Sequence, residues 1–518
     1  MSRPLGPAIA GSGGNTAPVE TTTSPTTTYT QILRSTALIG GSSVVNIGFA
    51  IIRNKAMALL LGPQGVGLMG LYGSIAELAQ TLAGMGIQAS GVRQIAEASG
   101  DGDSERIART ATVLRRASVL LGLLGAVLLA AFSMPIAQFT FADNGHAFSV
   151  ALLSAAVFFR LVSAGQVALV QGLRRVGDIA QINMLAALFS TVIAIPLVVL
   201  FGEQGIVPAL VAMAAVSILT SWWFARKVRI KPPQMSWPEV SAESAALLRL
   251  GLVFMASGFL TVGAAYAVRL IVLRHDGVEA AGLYQAAWAL GGLYAGFILQ
   301  AMGTDFYPRL TAVARNNEAC NRLVNEQAQI SILLAGPGLL ATLTIAPLVI
   351  SLFYSQAFQP AVDVLRWICL GMMLRIVAWP LGFIVLAKGA QRTFFWTEVA
   401  ATGVHVGLAW FLVGTIGLAG SGAAFFGLYV WHAGLIYMLV RRLSGFRWSR
   451  DNIRLGLIFL PAAAAVFAAC QTLPLWPAMA FGTVITALSG LYALNLLMRL
   501  LPPDAMPNPL RKWFSQGL

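Results

Sequence analysis

Charge is what this sequence has least of. Of its 518 residues only 10% are Asp, Glu, Lys or Arg, while 57% are hydrophobic; a soluble domain carries roughly 25% charged residues. That scarcity excludes a water-soluble globular chain. Cysteine is nearly absent too: Cys320, Cys369 and Cys470 give neither a disulfide framework nor a metal-ligand spacing. No G-x-x-x-x-G-K-[ST] loop occurs, which excludes ATP use by the P-loop route, and there is no H-E-x-x-H. No cofactor is expected. Loops long enough to fold on their own are also missing, the longest running from Arg226 to Arg249. Whatever the chain does, it does inside a bilayer.

Apolar windows of about 19 residues fall near 36–61, 66–90, 117–139, 148–171, 180–201, 205–225, 250–274, 280–303, 329–354, 364–387, 394–416, 418–440, 455–473 and 476–500. Each approaches the ~20 residues of a membrane-spanning helix, and none alternates as a barrel strand would. The expectation is an all-α polytopic membrane protein with about fourteen spans. Residues 1–30, rich in Thr, Ser and Pro, lack an apolar core with a cleavage site and read as a disordered tail rather than a signal peptide.

Charge placement gives an independent check. With the N-terminus inside, 27 of the 34 Lys and Arg fall in inside segments, including "ARKVRIK" and "RRLSGFRWSRDNIR", and one, Arg274, falls outside. Such asymmetry follows the positive-inside rule and predicts cytoplasmic termini. It also accounts for the net charge of +14 as loop anchors facing anionic lipid, with no nucleic acid partner.

The chain matches itself at an offset of 215 residues. Gly62, Gly67 and Leu68 fall on Gly277, Gly282 and Leu283, and Arg160 in "FFRLV" falls on Arg375 in "MLRIV". Such repeats are common in transporters. They predict two pseudo-symmetric six-helix bundles, spans 1–6 (31–225) and 7–12 (250–440), joined by a cytoplasmic linker at 226–249. Two additional helices (441–500) and a tail (501–518) follow.

Six cations remain within spans, and each near a bilayer centre costs about 2.5–3.5 kcal/mol. Arg160 and Arg375 lie near the middle of their spans, beyond easy snorkelling; they are either structural ties or a cationic lining that holds an anionic head group, a role suited to the guanidinium fork. Arg53 and Lys55 stand two positions apart, about 200° around the helix, so both cannot face one cavity. Arg53 is expected inward and Lys55 snorkelling to the outer interface. Arg269 falls within one residue of Arg53 under the repeat and joins the candidates, whereas Arg366 near an outer boundary reads as an anchor. Glu77, the carboxylate near the centre of a span, is either a proton carrier or a partner to an arginine. His405 and His432 read as hydrogen-bonded structural histidines. In "TDFYPRL", Asp305 and Arg309 are four apart at a cytoplasmic helix end and could pair there.

The stretches "ILRSTALIGGSSVVNIGFAIIRNKAMALLLGPQGVGLMGLYGSI", "TDFYPRLTAVA", "QGLRRVGDIAQIN" and "KGAQRTFFWTE" resemble the Wzx-type O-antigen translocases, lipid-linked oligosaccharide flippases of the multidrug/oligosaccharidyl-lipid/polysaccharide exporter superfamily. The branch that flips the enterobacterial common antigen lipid is the most similar. The resemblance implies a non-enzymatic inner-membrane flippase that moves an undecaprenyl-pyrophosphate-linked glycan to the periplasmic leaflet by alternating access. It also implies a glycan polymerase and a chain-length regulator as partners. Those flippases usually have twelve spans; an extra pair occurs in the related peptidoglycan-precursor flippases. The alternatives are a multidrug exporter of the same superfamily, which would favour acidic cavity residues, and a membrane-embedded glycan polymerase or ligase, which would need catalytic acids or an ordered outside domain.

Overall fold

The computed structural model describes residues 25–228, 233–301 and 306–500, and among them every regular element is helical. The first half comprises α1 (Pro25–Gly84), α2 (Ile87–Gly100), α3 (Ser104–Ala131), α4 (Ser133–Phe141), α5 (Ala147–Gly172), α6 (Val176–Phe201) and α7 (Ile206–Ala225). The second comprises α8 (Trp237–Ala301), α9 (Tyr307–Ala312), α10 (Asn317–Thr344), α11 (Ala346–Phe353), α12 (Ala361–Ala387), α13 (Gln391–Ile416) and α14 (Ala419–Ser444). Helices α15 (Arg450–Thr472) and α16 (Leu475–Leu500) follow. The expected tail at 1–30 lies outside the described residues as far as 24, and the 501–518 tail lies wholly outside them.

The repeat is visible in where helices begin. Helices α3, α4, α5, α6 and α7 start 213 to 215 residues before α10, α11, α12, α13 and α14 respectively. α1 and α8 correspond as well. Each is a pair of spans folded back on itself at a glycine, Gly62 (φ 65°, ψ −172°) in α1 and Gly277 (φ 85°, ψ −178°) in α8. That reversal follows from a bond: Arg269 Nε donates to Gln285 Oε1 at 2.8 Å, although sixteen residues of straight helix would separate them by about 24 Å. A positive φ suits glycine because it has no Cβ to clash.

Eleven helical segments among the described residues are long and apolar enough to cross a membrane. Two of them fold back at Gly62 and Gly277, and a third, Val176–Ala225, breaks at the 3-10 turn Gly202–Gly205, so the crossings outnumber the segments. The stretch expected as a linker is helical from Trp237. Ser236 caps that end, its backbone N–H and hydroxyl both donating to Glu239 Oε2 at 2.8 and 2.9 Å. These bonds hold the Glu239 carboxyl below the usual carboxylate range.

Two bundles result. α1, α3, α5, α6 and α7 pack together, as do α8, α10, α12, α13 and α14, and the largest buried core lies in the second bundle. α15 and α16 add to that bundle through α10, where the Phe459 ring covers Gly336 and Gly482 meets Thr344. Lipid is as apolar as these side chains, so association rests on close packing and polar contacts.

The bundles meet chiefly through α1 and α8, around their glycine turns. A Cβ on Gly67 would lie 2.2 Å from the Val278 carbonyl oxygen, and one on Gly282 would lie 1.9 Å from the Pro63 carbonyl oxygen. The contact is reciprocal, with each glycine against the other hairpin's turn. Three more ties sit at this turn face: Lys55 Nζ donates to Ser351 O at 2.6 Å, Thr140 Oγ1 and Tyr266 Oη lie 2.7 Å apart, and Arg274 donates to Phe139 O. At the opposite, basic face the first bundle meets the first arm of α8, through Thr110 to Glu243 and Gly251 against Met85 O. Among the described residues α10, α12, α13 and α14 make no substantial packing with the first bundle. The halves thus touch at both faces, through α1, α8 and α11 at the turn face and through α2, α3 and the first arm of α8 at the basic face.

Candidate functional site

Arg160 lies at the middle of α5, thirteen residues from its start, and Arg375 at the middle of α12, fourteen from its start. Arg160 shares a cavity of about 230 Å³ with Arg53 of α1. Small residues make the space: Ala187 and Ser190 of α6, and Ala214 and Ser217 of α7. Arg53 Nε is buried there without a hydrogen-bond partner, a state that costs a polar group about 1–3 kcal/mol. Such a cavity can accept an anion, because two guanidinium groups offer several donors in fixed forks. Two residues further along α1, Lys55 turns away to the turn face, as the 200° separation requires. Its partner is the Ser351 carbonyl of the other bundle rather than the membrane interface.

Glu77, on the second arm of α1, acts electrostatically on both Arg160 and Arg269. Arg269 is a tie between the halves. Besides Gln285 it donates to Ser74 Oγ at 2.6 Å, so one guanidinium bridges both arms of α8 and the second arm of α1. It lies within the field of Glu77, but two of its five N–H donors are already engaged in these ties.

Arg375 occupies a separate group in the second bundle. Its guanidinium carbon lies 5.2 Å from the Trp379 ring centroid and 5.8 Å from that of Tyr429, within cation–π range, and its Nε is buried without a partner. Glu398 and His405 of α13 and His432 of α14 lie within its field. The structure therefore brings Arg53 and Arg160 together in one cavity, leaves Glu77 within the electrostatic reach of Arg160 and Arg269 without an ion pair to either, and sets Arg375 among different neighbours.

Several sequence expectations change. Arg366 is no interfacial anchor: it is 7% exposed and pairs with Asp363 at 3.3 Å, because α15 covers that side of α12. His405 Nε2 and His432 Nδ1 are buried without hydrogen-bond partners, contrary to the structural hydrogen bonds expected. Asp305 lies outside the described residues, so its pairing with Arg309 is not described; Arg309 is exposed in the last turn of α9. Sequence reasoning passed over Glu398, whose place near the start of an apolar run reads as a helix-end residue, and over Ser74 and Gln285, whose neutral side chains carry no hydropathy signal. Among the described residues no three His, Cys, Asp or Glu side chains group as metal ligands.

Comparison with known proteins agrees with this architecture. A lipid III flippase of Escherichia coli is 23% identical over 417 residues, covering 77% of this chain and 97% of that protein; the same holds for the lipid III flippase of Shigella flexneri. The solved inward closed conformation of the lipid II flippase MurJ superposes with a TM-score of 0.63 at 13% identity, covering 90% of this chain and 99% of the other. An inward-facing multidrug resistance transporter of the MATE family in the MOP superfamily superposes with a TM-score of 0.59 at 18% identity, covering 78% and 98%. Residues 56–363, more than half of the chain and including Arg160, Arg269 and Glu77, match the family model described as "Polysaccharide biosynthesis protein". This chain belongs to the polysaccharide biosynthesis protein family.

Proposed function

We propose that the chain is an inner-membrane flippase that moves a lipid-linked oligosaccharide, carried on undecaprenyl pyrophosphate, from the cytoplasmic to the periplasmic leaflet. The observation that carries this reading is the pair of mid-helix arginines, Arg160 and Arg375, one midway along a helix of each bundle. Permanent cations so deep in hydrocarbon are expensive, and a pyrophosphate head group is the anion that would use both. The kinship with lipid III flippases supports a lipid-linked glycan as the class of substrate.

The positive-inside asymmetry puts the basic face and both termini in the cytoplasm. The turn face is then periplasmic, and substrate enters from the cytoplasmic leaflet once the basic-face contacts of α2 and α3 with α8 part. The pyrophosphate enters between the halves, the glycan stays in the water of the cavity, and the prenyl tail stays in the bilayer. Rocking of the halves about the α1 and α8 hairpins then exposes the head group to the periplasm. Glu77, within the electrostatic reach of Arg160 and Arg269, offsets part of their charge while the site is empty.

Single substitutions Arg160→Ala and Arg375→Ala should each lower glycan export about tenfold or more, the loss of a charge-assisted contact, with normal amounts of inserted protein. Export measured in cells whose only copy is the variant checks this. Normal export by both variants would contradict the assignment.

A further inference from the structure

Toward the basic face from Arg160 lies a second, larger space of a different character. A cavity of about 530 Å³ surrounds the point where the second arm of α1 gives way to α2, and it is walled by α5 and by the first arm of α8. That volume is in the range of small-molecule sites, about 300–1,000 Å³. Its polar lining is Gln80 and Thr81 of α1, Gln88 of α2 and Gln171 of α5; Phe254 and Met255 of α8 are among its apolar walls. None of the described residues that line it is Asp, Glu, Lys, Arg or His.

Helix geometry sets this chamber in line with the charged groups of the arginine cavity. Ala164 and Gln171 follow Arg160 on α5 by four and eleven residues, which keeps them within about 40° of it around the helix. Thr81 and Gly84 follow Glu77 on α1 by four and seven residues, again within about 40°. Gln171 is thus about 17 Å from Arg160 along the helix axis. The chamber encloses a break in the helical path: α1 stops at Gly84, α2 starts at Ile87, and Met85 and Gly86 between them have φ of 46° and 66°. A Cβ on Gly86 would lie 2.0 Å from Gly251 O, so the missing side chain lets α8 close the chamber from the other bundle.

The amides lining this space are uncommitted. Among the described residues, the side chains of Gln80, Gln88 and Gln171 hydrogen-bond no other protein group. Gln166, elsewhere on α5, is by contrast held by Ser221, whose hydroxyl donates to Gln166 Oε1 at 2.6 Å. Gln80 is half-buried, and Gln88 and Gln171 are exposed. Thr81 Oγ1 donates to Glu77 O at 2.8 Å and keeps its lone pairs free to accept. Each primary amide offers two N–H donors and a carbonyl acceptor. Three of them around an uncharged space suit a neutral ligand rich in both donors and acceptors. A sugar has that chemistry, since its hydroxyls donate and accept and its C–H faces pack on apolar walls. A phosphate would meet no cation here, and a cationic drug no carboxylate.

We propose that this chamber binds the sugar next to the pyrophosphate of the lipid-linked glycan, with Gln80, Gln88 and Gln171 hydrogen-bonding its hydroxyl and amide substituents. The inference rests on the reading above that Arg160 holds the pyrophosphate. The alignment of the two sites along α1 and α5 is what lets one ligand reach both.

The test measures binding of two probes to the full chain in lipid nanodiscs. One is farnesyl diphosphate capped as its terminal methyl ester, and the other is farnesyl diphosphate carrying one N-acetylglucosamine, so that both are diesters of equal charge. The wild type should bind the sugar-bearing probe about tenfold or more tightly, the gain of a few hydrogen bonds. The Gln80→Leu, Gln171→Leu double variant should lose that preference, its affinity for the sugar-bearing probe falling to that for the capped one. Arg160→Ala should weaken both. Equal wild-type affinity for the two probes, or a preference kept in the double variant, would overturn the inference and leave the head-group reading standing. Failure of the wild type to bind either probe would overturn both. Should the double variant not fold, Gln88→Cys provides a second measurement at an exposed position. The sugar-bearing probe should slow its labelling by a water-soluble maleimide more than the capped probe does, and equal rates would overturn the inference.

Discussion

At the scale of residues, the turn-face latch is the most exposed to test. Lys55 Nζ and Ser351 O join the two bundles across 2.6 Å, a charge-assisted bond worth about 1.5–3 kcal/mol. Lys55→Met should therefore shift the balance toward states open at the turns by about tenfold or more. Spin labels at Phe139 and Leu352, which are 60% and 68% exposed, would report it as a smaller short-distance population. An unchanged distance distribution would contradict a latch. Of these side chains, the opposed directions of Arg53 and Lys55 were legible in the sequence, because helix geometry alone separates them. The partners of Lys55, Arg269 and Arg366 were not, since each lies on another helix whose approach is a matter of tertiary packing.

At the scale of elements, the two glycine hairpins form the contact about which the proposed rocking turns. Gly67 and Gly282 stand against backbone, and backbone cannot move aside as a flexible side chain can. Gly282→Val should destabilise the turn-closed state by about 1–3 kcal/mol, as overpacking does, and slow transport. A fall in thermal stability of the detergent-solubilised protein checks the first part, and unaltered stability would mean that the hairpins do not touch as described. The sequence repeat had already paired Gly62 with Gly277 and Gly67 with Gly282. Its physical meaning, two turns and one reciprocal contact, needed the structure. The helical start of α8 at Trp237 was hidden by its low hydropathy, although the Ser236 and Glu239 capping pair was there to be seen.

At the scale of the whole molecule, hydropathy and the 215-residue repeat were enough for a polytopic helical membrane protein of two similar bundles with an added pair. Segregation of the arginines into two groups was not, because a linear repeat shows that Arg160 and Arg375 are equivalent but not what surrounds each of them. Their surroundings differ: small residues and Arg53 around one, aromatics, histidines and Glu398 around the other. Two unlike arginine groups, one per bundle, suit the proposed carrier, in which both halves engage a head group and then let it go. The most direct measurement reconstitutes the purified protein in liposomes with a fluorescent undecaprenyl-pyrophosphate glycolipid and asks whether inner-leaflet head groups become accessible to an outside quencher. The expected result is protein-dependent exposure that is lost in the Arg160→Ala, Arg375→Ala double variant. No exposure under any imposed potential or ion gradient, or undiminished exposure in the double variant, would contradict flipping through an arginine-held head group.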